Sequence, residues 1–388
     1  MKIIYADNNA TTMPAPEVVD AMLPFFTEMW ANPSSMHTFG GQVSKYIEKA
    51  RASVATLVGA SSAEIVFTSC GTESDNTAIR SALATSGGKR HLVTSSVEHP
   101  AVLNLAKHLE KEGVEVTSLG VDSEGRLDLA SLENSLRPDT FLVSIMWANN
   151  ETGVVFPIDQ IAEICAQRKI SLHVDAVQAA GKLSLDMRKT PITYLSISGH
   201  KLHSSKGAGA LYVRKGTPFS PWLLGGHQER GRRGGTENVA SLVGFGTASE
   251  LALLNMQENA ARIASLRDRL ERKILDSIPY SFVHGGKTVR LPNTSNIGFE
   301  GVEGEAILLM LNECGICASS GSACASGSLD PSHVMMAMGI PFTRAHGSIR
   351  FSLSRYNTED EIDFIAEKLP AVIRTLRELS PIKAGAAY

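Results

Sequence analysis

Lys201 is the residue of this 388-residue chain whose setting best suits nucleophilic chemistry. It stands in the run Ser-Gly-His-Lys-Leu, residues 198–202, directly after the mostly apolar residues 194–197. A lysine on a turn just past a strand can lie in a pocket, where desolvation and nearby cations lower its pKa and allow its amine to attack a carbonyl. A solvated lysine in a basic surface loop is the alternative for this segment alone.

Asp175 supplies an acid that fits such a lysine. It ends the β-favouring run 171–174, and Gln178 follows it. An aspartate at the carboxyl end of a buried strand faces the ligand crevice of an α/β protein or caps the next helix. Pyridoxal 5'-phosphate (PLP) needs a lysine for its Schiff base and an acid for its protonated ring nitrogen. Asp175, Gln178 and Lys201 together therefore predict a PLP site.

Gly71 and Thr72 suit the phosphate group of such a cofactor. They follow a predicted strand, residues 64–68, and precede a predicted helix, residues 77–85. A strand, a turn of small residues and a helix start leave free backbone N–H groups and the positive end of the helix dipole for an anion. A capping box formed by Thr72 explains the same residues without a ligand.

His99 and the turn 147–153 follow two further predicted strands. Because Pro100 keeps the preceding residue extended, the His99 ring has a defined direction, suited to stacking on a flat cofactor and moving protons. A structural histidine is the alternative. The carboxyl ends of parallel strands share one edge of a sheet, so these polar segments and Asp175 predict a crevice there.

The elements that must position these residues alternate between strand and helix, which predicts an α/β fold with a mainly parallel sheet between helices. The predicted strands and helices are 64–68, 91–95, 114–119, 141–146, 170–174, 194–197 and 207–213, and 77–85, 101–111, 129–136 and 158–168. A very long predicted helix, 239–278, then leads to a smaller α/β region that ends in the amphipathic helix 359–379. We expect residues 15–255 to form a large domain, and residues 1–14 with 256–388 to form a small one.

Three loops have two interpretations each. The asparagine-rich turns 7–12 and 32–35 are either solvent loops or the lining of a site mouth. The glycine-rich, basic segment 225–238 is either solvated or suited to close approach of a phosphate or a partner subunit.

Composition limits the class of protein. The chain is 43% hydrophobic and 20% charged, as is ordinary for a soluble globular enzyme, and its net charge of −3 gives no reason to expect nucleic acid or an anionic membrane as partner. We find no apolar run that approaches the ~18 residues of a membrane span, and no signal peptide at the amino terminus. A cytoplasmic location is therefore expected.

The five cysteines are too few and too scattered for a disulfide framework. Cys314 and Cys317 have the spacing of a redox pair or half a zinc site, but no second pair lies nearby, so no metal is expected and buried thiols are the default. Cys324 differs, because it stands among small, flexible residues that leave a thiol accessible. Arg350 alternates with apolar residues of a predicted strand and needs an acidic partner, for which an amino-acid carboxylate is suitable.

Eight motifs carry a resemblance over nearly the whole chain. They are DNNATT (7–12), NPSSMH (32–37), CGTESDN (70–76), EHPA (98–101), NNETG (149–153), HVDAVQ (173–178), SGHKL (198–202) and SGSAC (320–324). The chain thus resembles the cysteine desulfurases of the NifS/IscS group, which are class V aminotransferases of PLP fold type I. The amino-acid sequence of residues 225–238 and the short carboxyl-terminal tail are more similar to the NifS type than to the IscS type.

The resemblance implies a role for each motif residue. Lys201 would carry PLP, Asp175 would pair with the ring nitrogen, Gln178 would bond the ring oxygen, and His99 would stack on the ring and act as an acid or base. The phosphate would be held by Gly71, Thr72, Ser198 and His200, with Thr236 from the second subunit of a homodimer. Asn150 would contact the cofactor and, with Arg350, the substrate carboxylate, and Cys324, on a loop of about 320–335, would be the nucleophile.

The implied reaction is the PLP-dependent removal of sulfur from L-cysteine, which gives L-alanine and a persulfide on Cys324. The sulfur would pass to an iron–sulfur scaffold protein, including for nitrogenase maturation. Two alternatives stay open: an aminotransferase or selenocysteine lyase of the same fold, in which Cys324 is incidental, and a phosphate-binding module built on Gly71 and Thr72 with no catalysis.

Overall fold

The computed structural model describes residues 3–320, 331–381 and 384–385. Its strands are β1 (Ile4–Tyr5), β2 (Ile65–Thr68), β3 (His91–Ser95), β4 (Glu115–Leu119), β5 (Thr140–Met146), β6 (Ser171–Asp175), β7 (Tyr194–Ser198), β8 (Gly209–Val213), β9 (Ser281–Val283), β10 (Thr294–Phe299), β11 (Ile316–Cys317) and β12 (Ser348–Ser352). Its helices are α1 (Pro16–Met22), α2 (Pro24–Thr27), α3 (Thr38–Leu57), α4 (Gly71–Ala84), α5 (Pro100–Lys111), α6 (Leu129–Ser135), α7 (Ile158–Gln167), α8 (Val239–Ser277), α9 (Gly304–Glu313), α10 (His333–Ala337), α11 (Phe342–Ala345) and α12 (Glu359–Leu379).

A seven-stranded sheet organises the first two thirds of the chain, in the order β2-β8-β7-β6-β5-β3-β4. Neighbours from β7 through β4 run parallel, whereas β8 runs antiparallel to both β7 and β2. All residues of β3, β5 and β7 are buried, as expected for parallel strands covered by helices on both faces. The predicted α/β fold with a mainly parallel sheet is confirmed.

Apolar side chains cover both faces of this sheet. On one face, residues of α4 and α5 such as Ile79, Val102 and Leu105 pack against Leu92 and Leu142 of the strands. On the other face lies a larger core, to which α1, α3, α7 and the first part of α8 contribute. Because both faces are closed, ligands can approach the sheet at its edges, where the strands end.

A second core lies around the smaller sheet, whose strand order is β12-β10-β9. The helix α8 takes part in both cores, with Phe245 in the first and Leu270 in the second. Ile4 of β1 joins the second core, since β1 pairs in parallel with β11. Met335 of α10, by contrast, packs into the first core. The domain boundaries at 14/15 and 255/256 stay a prediction.

The helix α8 has the predicted length, but one stretch of it is more apolar than the sequence analysis expected. By length and composition, α8 contains an 18-residue window that could cross a membrane, and 44% of that window is buried inside the protein. The first core and the long neighbour α3 account for this apolar character, because the first half of α8 packs against both.

The helix α4 begins six residues earlier than predicted, at Gly71. Cys70 is extended and ends the preceding turn, and the Glu73 carboxylate accepts a 2.8 Å hydrogen bond from the backbone N–H of Ser69. This bond ties the first turn of the helix to the residue before its N-cap, and the polar residues 72–76 lie inside the helix rather than in a loop. Gly71 and Thr72 therefore occupy the first turn of a helix.

Candidate active site

Ten of the predicted site residues line one cavity of about 260 Å³. They are Gly71, Thr72, His99, Asn150, Asp175, Gln178, Ser198, His200, Lys201 and Arg350. Most follow the carboxyl ends of parallel strands, which meet at one edge of the large sheet. Arg350 instead comes from β12 of the smaller sheet. The cavity thus lies where the two sheets approach each other.

Lys201 ends a short 3₁₀ turn, Gly199–Lys201, directly after β7. Its Nζ donates hydrogen bonds to the carbonyl oxygens of Asn9 (2.5 Å) and Ala10 (2.7 Å). Asn9 is only 2% exposed, and both Asn9 and Ala10 line the cavity. Of the two interpretations of turn 7–12, the structure therefore supports the lining of a site mouth.

The second asparagine-rich turn does not contribute to this cavity. Asn32 and Ser34 are exposed, and the Asn32 side chain accepts the backbone N–H of Ser34 at 2.9 Å. The helix α3 begins a few residues later, with His37 as its N-cap. This turn is therefore a surface turn.

Asp175 ends β6 and is nearly buried. Its Oδ1 accepts the backbone N–H of Val177 at 2.9 Å, so the carboxylate also caps the following turn, although no helix begins there as the alternative interpretation expected. Burial and the nearby carboxyl of Asp75 raise the pKa of Asp175 to about 7. A cation in the cavity would favour the ionised form, and a protonated ring nitrogen is such a cation.

Two further buried carboxyls stand close to Asp175, and sequence reasoning assigned them no role. Burial raises the pKa of Glu98 to about 8 and that of Asp75 to about 7. Glu98 Oε1 accepts hydrogen bonds from Ser95 Oγ (2.6 Å) and from the backbone N–H of Met146 (2.9 Å). Both acids lie inside recognised motifs, but a motif does not reveal that a side chain is buried. Together with Asp175 they give this edge of the sheet an acidic character that suits a cationic group.

His99 is the N-cap of α5. Its Nδ1 accepts the backbone N–H of Ala101 at 3.1 Å, so the proton of the neutral ring lies on Nε2. Burial, with Lys201 and His333 as cationic neighbours, lowers the pKa of His99, and Asp175 opposes them. A flat, neutral imidazole therefore borders the cavity, as stacking on a ring requires.

The other end of the cavity suits a phosphate. A Cβ at Gly71 would lie 2.7 Å from Val177 Cγ2, so only glycine fits this close approach at the start of α4. Ser198 Oγ is buried and has no hydrogen-bond partner among the described residues. His200 lies beside it, with Nδ1 3.1 Å from Thr11 Oγ1 and a pKa lowered to about 4 by burial and by Lys201 and Lys206. An unsatisfied hydroxyl beside a helix start fits the phosphate of PLP.

Arg350 reaches the cavity from β12 and is 2% exposed. Its Nη2 pairs with Asp7 Oδ1 at 2.7 Å, and its Nη1 donates to the carbonyl oxygen of Asn150 at 3.1 Å. Asp7 is thus the acidic partner that the sequence required. Arg350 Nε has no partner among the described residues, so one donor is left for a bound anion.

Two predicted residues are not brought to the cavity. Thr236 lies in a separate cavity of about 160 Å³ with Glu229 and Arg233. Thr236 is predicted to contact the cofactor phosphate in the second subunit of a dimer, and this contact stays a prediction. Cys324 lies outside the described residues, which end at Ser320 and resume at Pro331.

The segment 225–238 that carries Thr236 is anchored rather than fully solvated. Glu229 is 6% exposed, and its carboxylate accepts two hydrogen bonds from the Arg51 guanidinium at 2.6 and 2.8 Å. Arg233 pairs with Glu73 of α4 at 2.9 Å. These two ion pairs fix the segment to the helices α3 and α4.

The remaining cysteines depart in part from the buried default. Cys165 is buried, which raises its pKa to about 12. Cys314 and Cys317 are half-buried, and Cys70 is half-buried and lines the candidate cavity. Buried thiols were the default for Cys314 and Cys317, and that default was wrong, because both side chains are only partly buried. Among the described residues no group of three or more His, Cys, Asp or Glu side chains is arranged to hold a metal ion.

Comparisons with known proteins agree on one family. Residues 4–365 match the family model described as aminotransferase class-V. A curated cysteine desulfurase of Nostoc sp. is 58% identical over 99% of this chain and 96% of its own length. The cysteine desulfurase NifS of Azotobacter vinelandii is 55% identical over 99% of this chain and 96% of its own length.

A solved structure described as a NifS-like protein superposes with a TM-score of 0.91 at 38% identity, covering 97% of this chain and 100% of that one. Sequence relatives and fold therefore point to the same group, as the motifs predicted. The chain belongs to the class-V aminotransferase family and, within it, to the cysteine desulfurases of the NifS-like group.

Proposed function

We propose that this chain uses PLP to take sulfur from L-cysteine, releasing L-alanine and leaving the sulfur as a persulfide on Cys324. The family to which it belongs is PLP-dependent. The observation that carries the proposal is that Lys201, Asp175 and Arg350 line one cavity. A lysine, a strand-end acid and a carboxylate-binding cation are the groups that an amino acid and PLP need.

PLP would be held at four points of the cavity. Lys201 supplies the amine for its aldehyde, Asp175 the counter-charge for its ring nitrogen, and Gln178 a donor for its ring oxygen. Gly71, Thr72, Ser198 and His200 would hold its phosphate, with His99 against the ring. Once bound, PLP supplies an electron sink that allows an amino acid to lose its Cα proton and its Cβ–S bond to break.

Arg350 and Asn150 would hold the substrate carboxylate. Asp7 keeps the Arg350 guanidinium in place through Nη2, so the free Nε can point a fixed donor at a carboxylate. Since Arg350 is buried, this charge-assisted hydrogen bond is little screened by water.

Lys201 and His99 would move the protons. The Lys201 amine would be suited to take the Cα proton of the substrate and to return one to carbon. His99 lines the cavity and carries its proton on Nε2, so it is suited to the sulfur step. The Cys324 thiolate would form the S–S bond as Cβ–S breaks, and the electron pair left on Cβ takes a proton to give alanine. No external oxidant or reductant is needed.

Asp175→Asn is expected to weaken PLP binding and to slow alanine formation by about 100-fold or more. A neutral amide cannot keep the ring nitrogen protonated, although it can still occupy the turn. The measurements are the dissociation constant of PLP, the visible absorbance spectrum and the rate with L-cysteine. Normal PLP affinity and a normal rate in this variant would show that Asp175 only caps the following turn.

Product analysis separates this function from its alternatives. Purified protein with L-cysteine should give equal amounts of alanine and released or protein-bound sulfur. A keto acid as product would indicate an aminotransferase, and strict preference for selenocysteine would indicate a selenocysteine lyase. A protein with no absorbance band near 400 nm and no mass label on Lys201 after borohydride reduction would be a binding module instead.

The partners proposed are a second copy of this chain and an iron–sulfur scaffold protein that accepts the sulfur, with nitrogenase maturation as the destination for a NifS-type enzyme. Thr236 would reach the phosphate of the partner copy. Mixing Thr236→Ala protein with Lys201→Ala protein tests this arrangement. In mixed dimers, one site lacks both residues and the other keeps both, so a mixed dimer should regain about half of the activity of a wild-type dimer. No recovery on mixing, with dimers shown to exchange, would contradict it.

A further inference from the structure

Lys182 is a half-buried lysine to which the mechanism above gives no role. It lies four residues after Gln178, and its Nζ donates a 2.9 Å hydrogen bond to Gln178 Oε1. It does not line the cavity of the predicted site but a smaller one of about 70 Å³, to which Lys201 and Asn8 also contribute. Lys182 therefore contacts the predicted site through its hydrogen bond to Gln178.

Two partners determine which end of the Gln178 amide is oxygen and which is nitrogen. The Lys182 ammonium can only donate, so the atom facing it must be the amide oxygen. The carbonyl oxygen of Asn9 can only accept, and it receives Gln178 Nε2 at 3.0 Å. Both contacts require the same orientation, and a rotation of the amide by 180° would break both.

This orientation decides what Gln178 presents to the cavity. Nε2 carries two protons, of which Asn9 takes one, so the second is left for an acceptor. The opposite orientation would present the amide oxygen, which repels an acceptor such as the ring oxygen of PLP. The carbonyl oxygen of Asn9 also accepts from Lys201, so Lys201 and Gln178 bond the same backbone group.

We propose that Lys182 is a positioning residue that fixes the Gln178 amide with its nitrogen toward the cofactor. The inference rests on the proposed function, since PLP supplies the acceptor. Burial, Lys201 and Arg350 lower the pKa of Lys182 to about 7. Because a neutral amine can also accept a hydrogen bond, the orientation is best tested near pH 6, where the ammonium form prevails.

A double-mutant cycle on PLP affinity tests the proposal. Lys182→Met and Gln178→Ala should each raise the dissociation constant of PLP about tenfold near pH 6, the order expected when a hydrogen bond to a charged group is lost. The double variant should bind no more weakly than Gln178→Ala alone, because Lys182 acts only through Gln178. Both single variants should also shift the visible band of the bound cofactor in the same direction.

Lys189→Met is the matched control, since it makes the same chemical change at a lysine whose side chain is 83% exposed. It should keep wild-type affinity. If Lys182→Met does not fold, Lys182→Gln replaces it, because an amide can donate or accept and so does not fix the orientation.

Wild-type affinity in the Lys182 variant, or losses that add in the double variant, would overturn the inference. Borohydride reduction of the wild-type protein and peptide mass spectrometry keep this outcome apart from failure of the proposed function. A label on Lys201 with an additive cycle rejects only the role of Lys182, whereas no label on Lys201 rejects the proposed function itself.

Discussion

Lys201→Ala is expected to lower the rate of alanine formation from L-cysteine by more than about 100-fold. The variant loses the amine that binds the cofactor covalently, and it also loses the group proposed to move the Cα proton, which alone is worth about 100- to 10,000-fold. PLP should still bind, more weakly, through Asp175 and the phosphate residues. The measurements are alanine production, PLP affinity and borohydride labelling.

The fold should survive this change. The side chain of Lys201 contributes two hydrogen bonds to the carbonyls of Asn9 and Ala10, a loss of about 1–3 kcal/mol that a domain of this size tolerates. Lys206→Ala, at an exposed lysine of the same loop, is the control and should keep wild-type activity. More than about a hundredth of wild-type activity in Lys201→Ala, with a folded protein, would remove Lys201 from the mechanism.

Cys324→Ala is expected to stop the reaction one step later. This variant should bind PLP through Lys201 with wild-type affinity and should change its spectrum when L-cysteine is added, because the residues that line the cavity are untouched. It should gain no sulfur and form no alanine above background. Mass spectrometry after mixing with L-cysteine tests this, since wild type should gain one sulfur on the peptide that contains Cys324.

Cys314→Ala is the control for this experiment, because Cys314 is half-buried at the end of α9 and does not line the cavity. It should gain sulfur as wild type does. Cys70 makes the test sharper, since it is a thiol at the cavity wall. Added sulfur on the peptide with Cys70, or wild-type alanine formation in Cys324→Ala, would show that Cys324 is not the sulfur acceptor.

The sequence was sufficient for the parts of this protein that depend on local chemistry. Alternating strands and helices indicated the parallel sheet, because the spacing of apolar residues along the chain distinguishes a strand from a helix. Lys201, Asp175 and His99 could be chosen because each follows a strand, and the strands of a parallel sheet end at one edge. The family followed from short motifs in fixed order.

The first residue of α4 could not be predicted from the sequence. Residues 72–76 are polar and suggest a loop, yet they lie inside a helix, where Glu73 bonds the backbone N–H of Ser69 and pairs with Arg233, 160 residues away. A contact between distant parts of the chain therefore accompanies this local structure. The reversed strand β8 is a similar case, since its direction depends on pairing with β7 and β2.

The sequence by itself thus determined the fold class, the family and the residues that meet at the cavity. The tertiary structure decided their state: that Glu98 and Asp75 are buried acids beside Asp175, that Asp7 holds Arg350, and that Lys182 and Asn9 orient Gln178. Residue types and strand ends follow from neighbours along the chain. Burial, pKa and hydrogen-bond orientation follow from neighbours in space, which for these residues come from distant segments and from a second sheet.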